Sequence, residues 1–327
     1  MAMQGENTGP NSRVVDVMNF LAAHPTESFT LSELAARLGL SIGSTHRLLT
    51  TLAEARFLSR HPKHKTYSLG MALVAIGQAA LAQHRDIDVA RREMALLASD
   101  LKVHCHACAI VHEELLFLAA EGVPQSYEPL NSVGDRRPYM PPLGMVHAAW
   151  AEPDEQEDYI ARAPAALSDA AREHLARSLG VIRKRGYAMS GSGPAFRALR
   201  QFTVAPVGYQ KDQSYWAGLR QLIADLSDRE IQLLDFADAG SDGVAFITAP
   251  VFSPAGQVSL ELTLGGLPPN LKSSELERYV KRLRAAAAVV TSETHGRVPP
   301  PVASEIDPSH PLATDGKRGT TKGLSHA

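Results

Sequence analysis

The sequence predicts an α+β chain of two domains, a small helical front end closed by a hairpin and a larger mixed body. Three observations carry this. Residues 29–47, FTLSELAARLGLSIGSTHR, read as a helix, a tight turn and a second helix with a polar start. Residues 102–122, KVHCHACAIVHEELLFLAAEG, switch to an apolar period of two, the mark of paired strands. At 327 residues the chain exceeds the ~100–200 residues usual for one domain.

Composition narrows the class. Hydrophobic residues make up 44%, ample for packed cores, and charged residues 21%, ordinary for a soluble protein. A net charge of −2 excludes a polycation. The charge is uneven, however: residues 11–70 carry a net +3 and residues 71–327 a net −4. A mildly basic front on an acidic body suits nucleic-acid contact at one end. Cys105 and Cys108 are the only cysteines, which argues against a disulfide framework and for a reducing cytoplasm. The N-terminus lacks the basic start and apolar core of a secretory signal. The longest apolar run, Met71 to Ala82, is too short to span a bilayer.

Residues 1–11 are expected to be disordered. Ser12 to Ala23 is expected to be helical, with Ser12 as cap, Val14, Val17, Met18 and Leu21 as apolar stripe, and His24-Pro25 as terminator. In the next helix Thr30 acts as N-cap and Glu33 reaches back to its N–H. Phe29 and Leu34 form a staple; Leu31, Leu34, Ala35 and Leu38 share a face; Gly39 ends the helix. Leu40 is expected to be buried in the turn. Ser41 then caps a helix running to about Ala55, with Leu48, Leu49 and Leu52 inward and Gly43, Ser44, His46, Arg47 and Thr50 outward. That polar N-terminal half is the part of a recognition helix that meets base edges. The bland alternative is an ordinary amphipathic helix pair with a solvated face. Phe57 to Leu69 reads as two strands about a turn at Pro62–His64, with His61, Lys63, His64 and Lys65 at the tip. Three helices and a basic-tipped hairpin make a winged helix-turn-helix, whose tip lysines would sit near phosphates. A solvated basic loop is the alternative.

Through TLSELAARLGLSIGSTHRLLTTLAEARFLSR and TYSLGMALVAIGQ, residues 12–83 resemble the DNA-binding domain of the IclR family of bacterial transcriptional regulators. There are departures. Ile42 and Gly43 replace a usual basic residue and serine, and Arg56 stands where a glycine is usual. A positive φ at Arg56 would carry a steric cost. The resemblance implies a winged helix-turn-helix domain at 12–69, a linker helix that pairs subunits at 70–85, and a GAF-like effector-binding domain at 86–296. It also implies a cytoplasmic homodimer, or a dimer of dimers, that binds double-stranded operator DNA, does not bind membranes, and responds to a small organic metabolite. Such a protein would be a repressor of a catabolic or metabolic operon, with no enzymatic activity, cofactor or metal. The expected DNA contacts are Thr30, Ser32, Ser41, Gly43, Ser44, Thr45, His46, Arg47, Thr50, Lys63 and Lys65.

The remaining elements follow in order. Gly70 to Gln83 is a helix apolar on most sides, through Leu73, Ile76, Ala80 and Leu81, and needs a partner. By the resemblance it pairs subunits; a core helix of one chain is the alternative that periodicity leaves. Asp86 to Leu101 is amphipathic through Ile87, Ala90, Met94, Leu97 and Leu101. In the strand pair, His104, His106, Cys108 and Ile110 share one face and Cys105, Ala107, Ala109 and Val111 the other. His-x-His-x-Cys admits a metal, a semi-polar pocket wall or a plain sheet surface. A metal-dependent hydrolase using that face is therefore the alternative function. No third group that would orient a nucleophile is visible.

Residues 121–142 form a loop with one strand near Tyr127–Val133, and a helix starts near Leu143 whose N–H groups could hold a carboxylate. Gly134, Arg136, Pro138 and Gly144 approximate the family's effector-pocket wall, while Pro141, Pro142, Met145 and His147 depart from it. Ala151 to Arg185 is expected to be helical, with Gly186 closing it and Arg183 to Arg185 favoured by the helix dipole. Relative to the family, part of 190–240 reads as inserted, with helices at Trp216–Leu226 and Asp228–Phe236. Asp242 to Leu264 is a final strand pair in which Thr248, Ser259 and Glu261 face either a ligand or the packed sheet. Leu271 to Gly296 is the last helix, with Ser274 and Glu277 as capping box and Leu276, Val280, Leu283 and Ala287 inward. Residues 297–327 are expected to be a disordered tail. The expected effector contacts are His106, Cys108, Leu143, Gly144, Met145, Thr248, Ser259 and Glu261.

Overall fold

A computed structural model of the chain describes residues 10–22, 24, 27–122, 133–204, 213–269 and 271–300. The front end contains α1 (Pro10–Ala22), β1 (Phe29–Thr30), α2 (Leu31–Arg37), α3 (Ile42–Glu54), β2 (Leu58–Arg60) and β3 (Thr66–Leu69). Its core joins Val17, Phe20 and Leu21 of α1 to Leu34, Leu38, Leu49, Leu52, Leu58 and Tyr67. Helix α1 begins at Pro10, so residues 10 and 11 are helical rather than disordered, and residues 1–9 lie outside the described residues. Phe20, absent from the expected stripe, is fully buried, with the rings of His24 and Phe29 4.4 and 4.9 Å away.

Local chemistry explains the next two helices. Glu33 N donates to Thr30 Oγ1 at 3.3 Å, and Thr30 N donates to Glu33 Oε2 at 2.7 Å, closing the capping box. Ser41 Oγ accepts from Ser44 N at 3.3 Å at the start of α3. Leu40 is half-buried rather than sealed in the turn. The strand β1 carried no legible signal, because two residues are too few for a period. It pairs Phe29 with Tyr67 and Thr30 with Thr66, which makes the wing a three-stranded sheet of order β1-β3-β2.

The elbow after the wing is strained on purpose. Arg56 sits at φ +63°, a position that costs an L side chain energy. Its carbonyl accepts from Ala72 N at 3.2 Å, and Gly70 N donates to Phe57 O at 2.7 Å. A Cβ on Gly70 would overlap the Arg56 carbonyl oxygen, so only glycine fits. Next comes α4 (Ala72–Leu81), which buries none of its residues. Met71 is 79% exposed, Val74 54% and Ile76 51%, which sets aside the reading of this helix as core of a single chain.

The body runs α5 (Arg85–Leu101), β4 (His104–Val111), β5 (Glu114–Glu121), β6 (Arg136–Pro138), α6 (Met145–Trp150), α7 (Pro153–Ala161), α8 (Asp169–Arg185) and β7 (Ala188–Gly191). It continues with α9 (Pro194–Val204), α10 (Gln213–Ala224), α11 (Asp228–Ile231), a 3-10 turn (Phe236–Asp242), β8 (Val244–Phe252), β9 (Val258–Gly265) and α12 (Ser273–Glu293). The six strands form one antiparallel sheet of order β6-β5-β4-β9-β8-β7. One core fills the space between the sheet and helices α5 and α12, through Met94, Leu97, Ile247, Leu262, Leu264 and Leu283. A second packs α6 to α10 through Val146, Leu175, Ile182, Leu199 and Leu219. The sheet is thus the middle layer of three.

Several expectations shift. The long helix expected over Ala151–Arg185 is two, α7 and α8; residues 162–168 between them hold Pro164, and Ser168 Oγ caps α8 by accepting from Ala171 N at 3.1 Å. Of the strand expected near Tyr127–Val133, residues 127–132 lie outside the described residues and Val133 sits in a turn; β6 lies at Arg136–Pro138 instead. Asp228–Phe236 is helical only to Ile231. Beyond it Leu233 N donates to Met189 O, and Arg185 Nη1 donates to Leu233 O at 2.9 Å, drawing the segment along β7. In α12 the N-cap is Lys272, whose N donates to Glu275 Oε2 at 3.0 Å, and the expected box of Ser274 with Glu277 does not form. Arg297 N donates to Ser253 O at 3.0 Å, so residues 297–300 run along the β8–β9 turn, while 301–327 lie outside the described residues. Among the described residues no helix is long and apolar enough to cross a membrane.

Two predictions follow from this packing. Gly70→Ala should lower stability by about 1–3 kcal/mol, read from the urea midpoint of the front-end transition, because its methyl group drives the Arg56 carbonyl out of place. The thiols of Cys105 and Cys108 are both buried. Burial first, then Glu121, pushes Cys105 up to about 12; burial first, then Glu261, pushes Cys108 well above the usual thiol range. Both thiolates are therefore disfavoured at pH 8, and Ellman's reagent should label neither cysteine in the native protein and both in urea.

Candidate nucleic-acid interface and ligand face

The outer side of α3 carries Ser41, Ile42, Gly43, His46 and Arg47, all exposed, with Ser44 and Thr50 half-buried beside them. Thr45 is not part of this surface. It is fully buried, and its Oγ1 donates to Ser41 O at 3.0 Å, so it serves the inside of the helix. The expected contact at Thr45 is therefore corrected; one residue in a helical period of 3.6 separates inside from outside. Ile42 is 53% exposed, leaving a bare apolar side chain at the leading edge. The Ser41 hydroxyl donates to Ser44 Oγ at 3.0 Å, and Thr30 Oγ1 donates to Glu33 Oε2 at 2.8 Å, so these hydroxyls are engaged in caps; Ser32 is exposed next to Thr30.

At the wing tip, His61 Nδ1 accepts from Lys63 N at 3.2 Å and His64 N at 3.1 Å, closing a turn that throws Lys63 and Lys65 outward. Among the described residues neither lysine, nor Arg47, has an acidic partner in an ion pair. The cations thus remain available to an anion.

In the body, the register places Cys108 opposite Glu261, His106 opposite Thr263 and Thr248 opposite Thr263, so these residues share the inner face of the sheet. Thr248 and Thr263 hydroxyls lie 2.9 Å apart. The His106 ring lies 5.0 Å from Phe117 and 6.0 Å from Phe246, and Phe196 of α9 lies 5.7 Å from Phe246. Two guanidinium groups flank this aromatic cluster, Arg137 at 5.7 Å from Phe117 and Arg200 at 5.2 Å from Phe246. His106 is held neutral: burial first, then His104, Arg200 and Arg137, lower it to about 3. Phe117, Phe246, Arg137 and Arg200 were not singled out by the sequence, since they come from four separate elements.

Glu261 belongs to the same face but is committed. It is 4% exposed, accepts from His147 N at 3.1 Å, and receives the Cys108 thiol at 3.6 Å. Its Oε1 also lies 2.9 Å from His147 Nδ1, out of line for a hydrogen bond. Glu261 thus already takes one N–H of the helix start, that of His147. Leu143 packs on the Cys108–Leu115–Phe117 cluster, and its carbonyl accepts from Tyr159 Oη at 2.9 Å. Gly144 at φ +81° lies under the Tyr139 ring, and Met145 is buried among the helices. Ser259 Oγ donates to Val251 O at 3.4 Å. Of the eight expected contacts, His106 and Thr248 lie nearest the aromatic–guanidinium cluster, whereas Leu143, Gly144, Met145 and Glu261 build the walls. Among the described residues no group of three or more His, Cys, Asp or Glu side chains is placed to hold a metal ion.

Residues 12–62 match the IclR helix-turn-helix domain. Over 185 residues, or 54% of the chain, the sequence is 22% identical to the HTH-type transcriptional regulator KdgR of Dickeya chrysanthemi and 24% identical to that of Escherichia coli. The match spans 60% of the first relative's length and 69% of the second's. The fold is similar to that of an IclR transcriptional regulator from Alicyclobacillus acidocaldarius, at 20% identity and a TM-score of 0.62, covering 87% of this chain and 98% of that one. It is also similar to an IclR homolog from Microbacterium hydrocarbonoxydans complexed with 4-hydroxybenzoate, at 20% identity and a TM-score of 0.60, covering 88% and 99%. Residues 12–62 thus carry a helix-turn-helix of the IclR type, and the fold of the chain is similar to that of IclR transcriptional regulators.

Proposed function

We propose that this protein is a cytoplasmic, ligand-responsive transcriptional regulator that binds operator DNA as a dimer, acting as the repressor of a catabolic or metabolic operon. The observation that carries the reading is the IclR-type helix-turn-helix whose α3 turns Arg47 and His46 outward beside a wing tipped by Lys63 and Lys65. Gly43, with open space where a Cβ would stand, lets the start of α3 approach DNA closely. The apolar helix α4, with Val74 and Ile76 exposed, is the surface through which two copies would pair. A homodimer would then present two α3 helices to two half-sites.

The body would sense a small organic metabolite on the inner face of the sheet. The aromatic surface of His106, Phe117 and Phe246, flanked by Arg137 and Arg200, favours a small organic acid with an apolar body. The related Microbacterium hydrocarbonoxydans protein, complexed with 4-hydroxybenzoate, supports that class. Such a ligand regulates only if it binds one arrangement of the dimer more tightly than another.

Fluorescence anisotropy with duplexes from the region upstream of the protein's own gene tests the reading. Arg47→Ala should weaken specific binding by about 1–3 kcal/mol, as expected for a residue bidentate to a base. Lys63→Ala and Lys65→Ala should each weaken binding to all sequences alike and reduce the salt slope by about 1. Thr45→Val, which alters only the buried side of α3, should leave sequence preference intact. No preference for any promoter over random duplex would overturn the reading. Separately, Ile76→Glu should shift the protein from dimer to monomer in sedimentation velocity, because a carboxylate cannot be buried unpaired at an apolar seam.

A further inference from the structure

Among the exposed side chains of α3, Ile42 is the one large apolar member, beside His46, Arg47, Thr51 and Glu54. It takes no part in the front-end core, although Leu40 and Leu48 on either side of it in sequence both pack there. A lone apolar side chain on a surface is ordinary, so exposure by itself decides nothing. Its position does. Ile42 is the first residue of α3, at the end of a recognition helix that meets base edges. His46 follows one turn later on the same strip of the helix. Arg47 lies ~7.5 Å further along the axis, at ~1.5 Å per residue. That is about two base-pair steps of ~3.4 Å.

The neighbours leave Ile42 clear. Gly43 has no side chain, and nothing lies within 4 Å of where its Cβ would stand. On the other side, the Ser41 hydroxyl is turned to Ser44: it donates to Ser44 Oγ at 3.0 Å and accepts from Ser44 N at 3.3 Å. The helix therefore begins with a branched hydrocarbon flanked by a residue without a side chain and by a hydroxyl already bonded.

The chemistry of the major groove supplies one match for such a group. Thymine presents a C5 methyl there, whereas the other bases present donors and acceptors. Isoleucine laid over the cytosine amino group or a purine edge would take a polar group from water without pairing it. Laid over a methyl, it removes apolar surface of both partners from water.

We propose that Ile42 is a specificity residue, packing on the C5 methyl of one thymine in each half-site of the operator. The proposal rests on the regulator reading above and adds to it a base that the protein reads without a hydrogen bond. The helix rise puts that thymine within about three base pairs of the base read by Arg47.

Selection of binding sites from a random duplex pool by the full-length protein tests this, followed by anisotropy titrations on the enriched site. Parent protein should enrich a thymine near the position whose preference Arg47→Ala loses. Replacing that thymine by uracil, which removes only the methyl, should weaken binding about threefold to fivefold per half-site. Ile42→Ala should bind the thymine and uracil duplexes equally and leave the salt slope unchanged, because no phosphate contact is lost. Its thermal melt should match that of the parent, and the uracil measurement on parent protein needs no variant at all. Enriched thymines that are all indifferent to uracil, or an undiminished uracil penalty in Ile42→Ala, would overturn the proposal and leave the regulator reading standing. A pool with no enriched sequence would overturn both.

Discussion

The buried carboxylate of Glu261 fixes the relation between the sheet and everything laid on its inner face. Burying a carboxylate is costly unless hydrogen bonds satisfy it. Here the compensation comes from His147 N and the Cys108 thiol, one on α6 and one on β4. Helix α6 has only six residues, too few to persist by its own hydrogen bonds. It exists because a strand carboxylate holds its first turn and Gly144 lets the chain enter under the Tyr139 ring. From α6 the chain passes into α7 and α8, whose packing makes the second core.

In the front end the limiting factor is not burial but direction. Helix α3 is amphipathic by a narrow margin: Thr45, Leu49 and Leu52 are inside, while His46 and Arg47 are outside. The capping hydroxyls of Ser41 and Ser44 bond to one another and so orient the start of the helix. The β1 pairing to β3 locks Thr30, the cap of α2, against Thr66 of the wing. The cap of α2 and the wing are therefore tied together through the backbone of β1 and β3.

Most of the front end was legible in the sequence because its signals are local. The capping box at Thr30, the positive-φ Gly39 and the basic hairpin tip each sit within a few residues of the feature they specify. Thr45 was misread because a hydroxyl on a helix is ambiguous until its partner, the carbonyl four residues back, is known. In the body, the strands with clear alternation and the stripe of α5 were readable. The ligand face was only partly so. His106 and Thr248 announce themselves as polar residues in apolar strands, but Arg137 and Arg200 become neighbours of the aromatic cluster only after the chain closes. His147 carried a visible signal, a departure from the family's usual residue, but its meaning depends on Glu261, 114 residues away.

If the inner face of the sheet binds the proposed acid, the position of α9 bears on specificity. Within 190–240, part of which the sequence reads as inserted, α9 brings Phe196 and Arg200 against Phe246. It is held there by Glu230, which accepts from Phe196 N at 2.9 Å and from Ser227 at both its N–H and its hydroxyl. Gly193 lies so close to that carboxylate that a Cβ would collide with it. This segment is thus anchored by its own network. Strands β4, β8 and β9 supply a frame set by sheet geometry, whereas the guanidinium of Arg200 comes from an element that can vary without disturbing that frame. A regulator built this way would change the acid it recognises by altering α9 and its anchor while leaving the sheet, and the helices that carry α3, as they are.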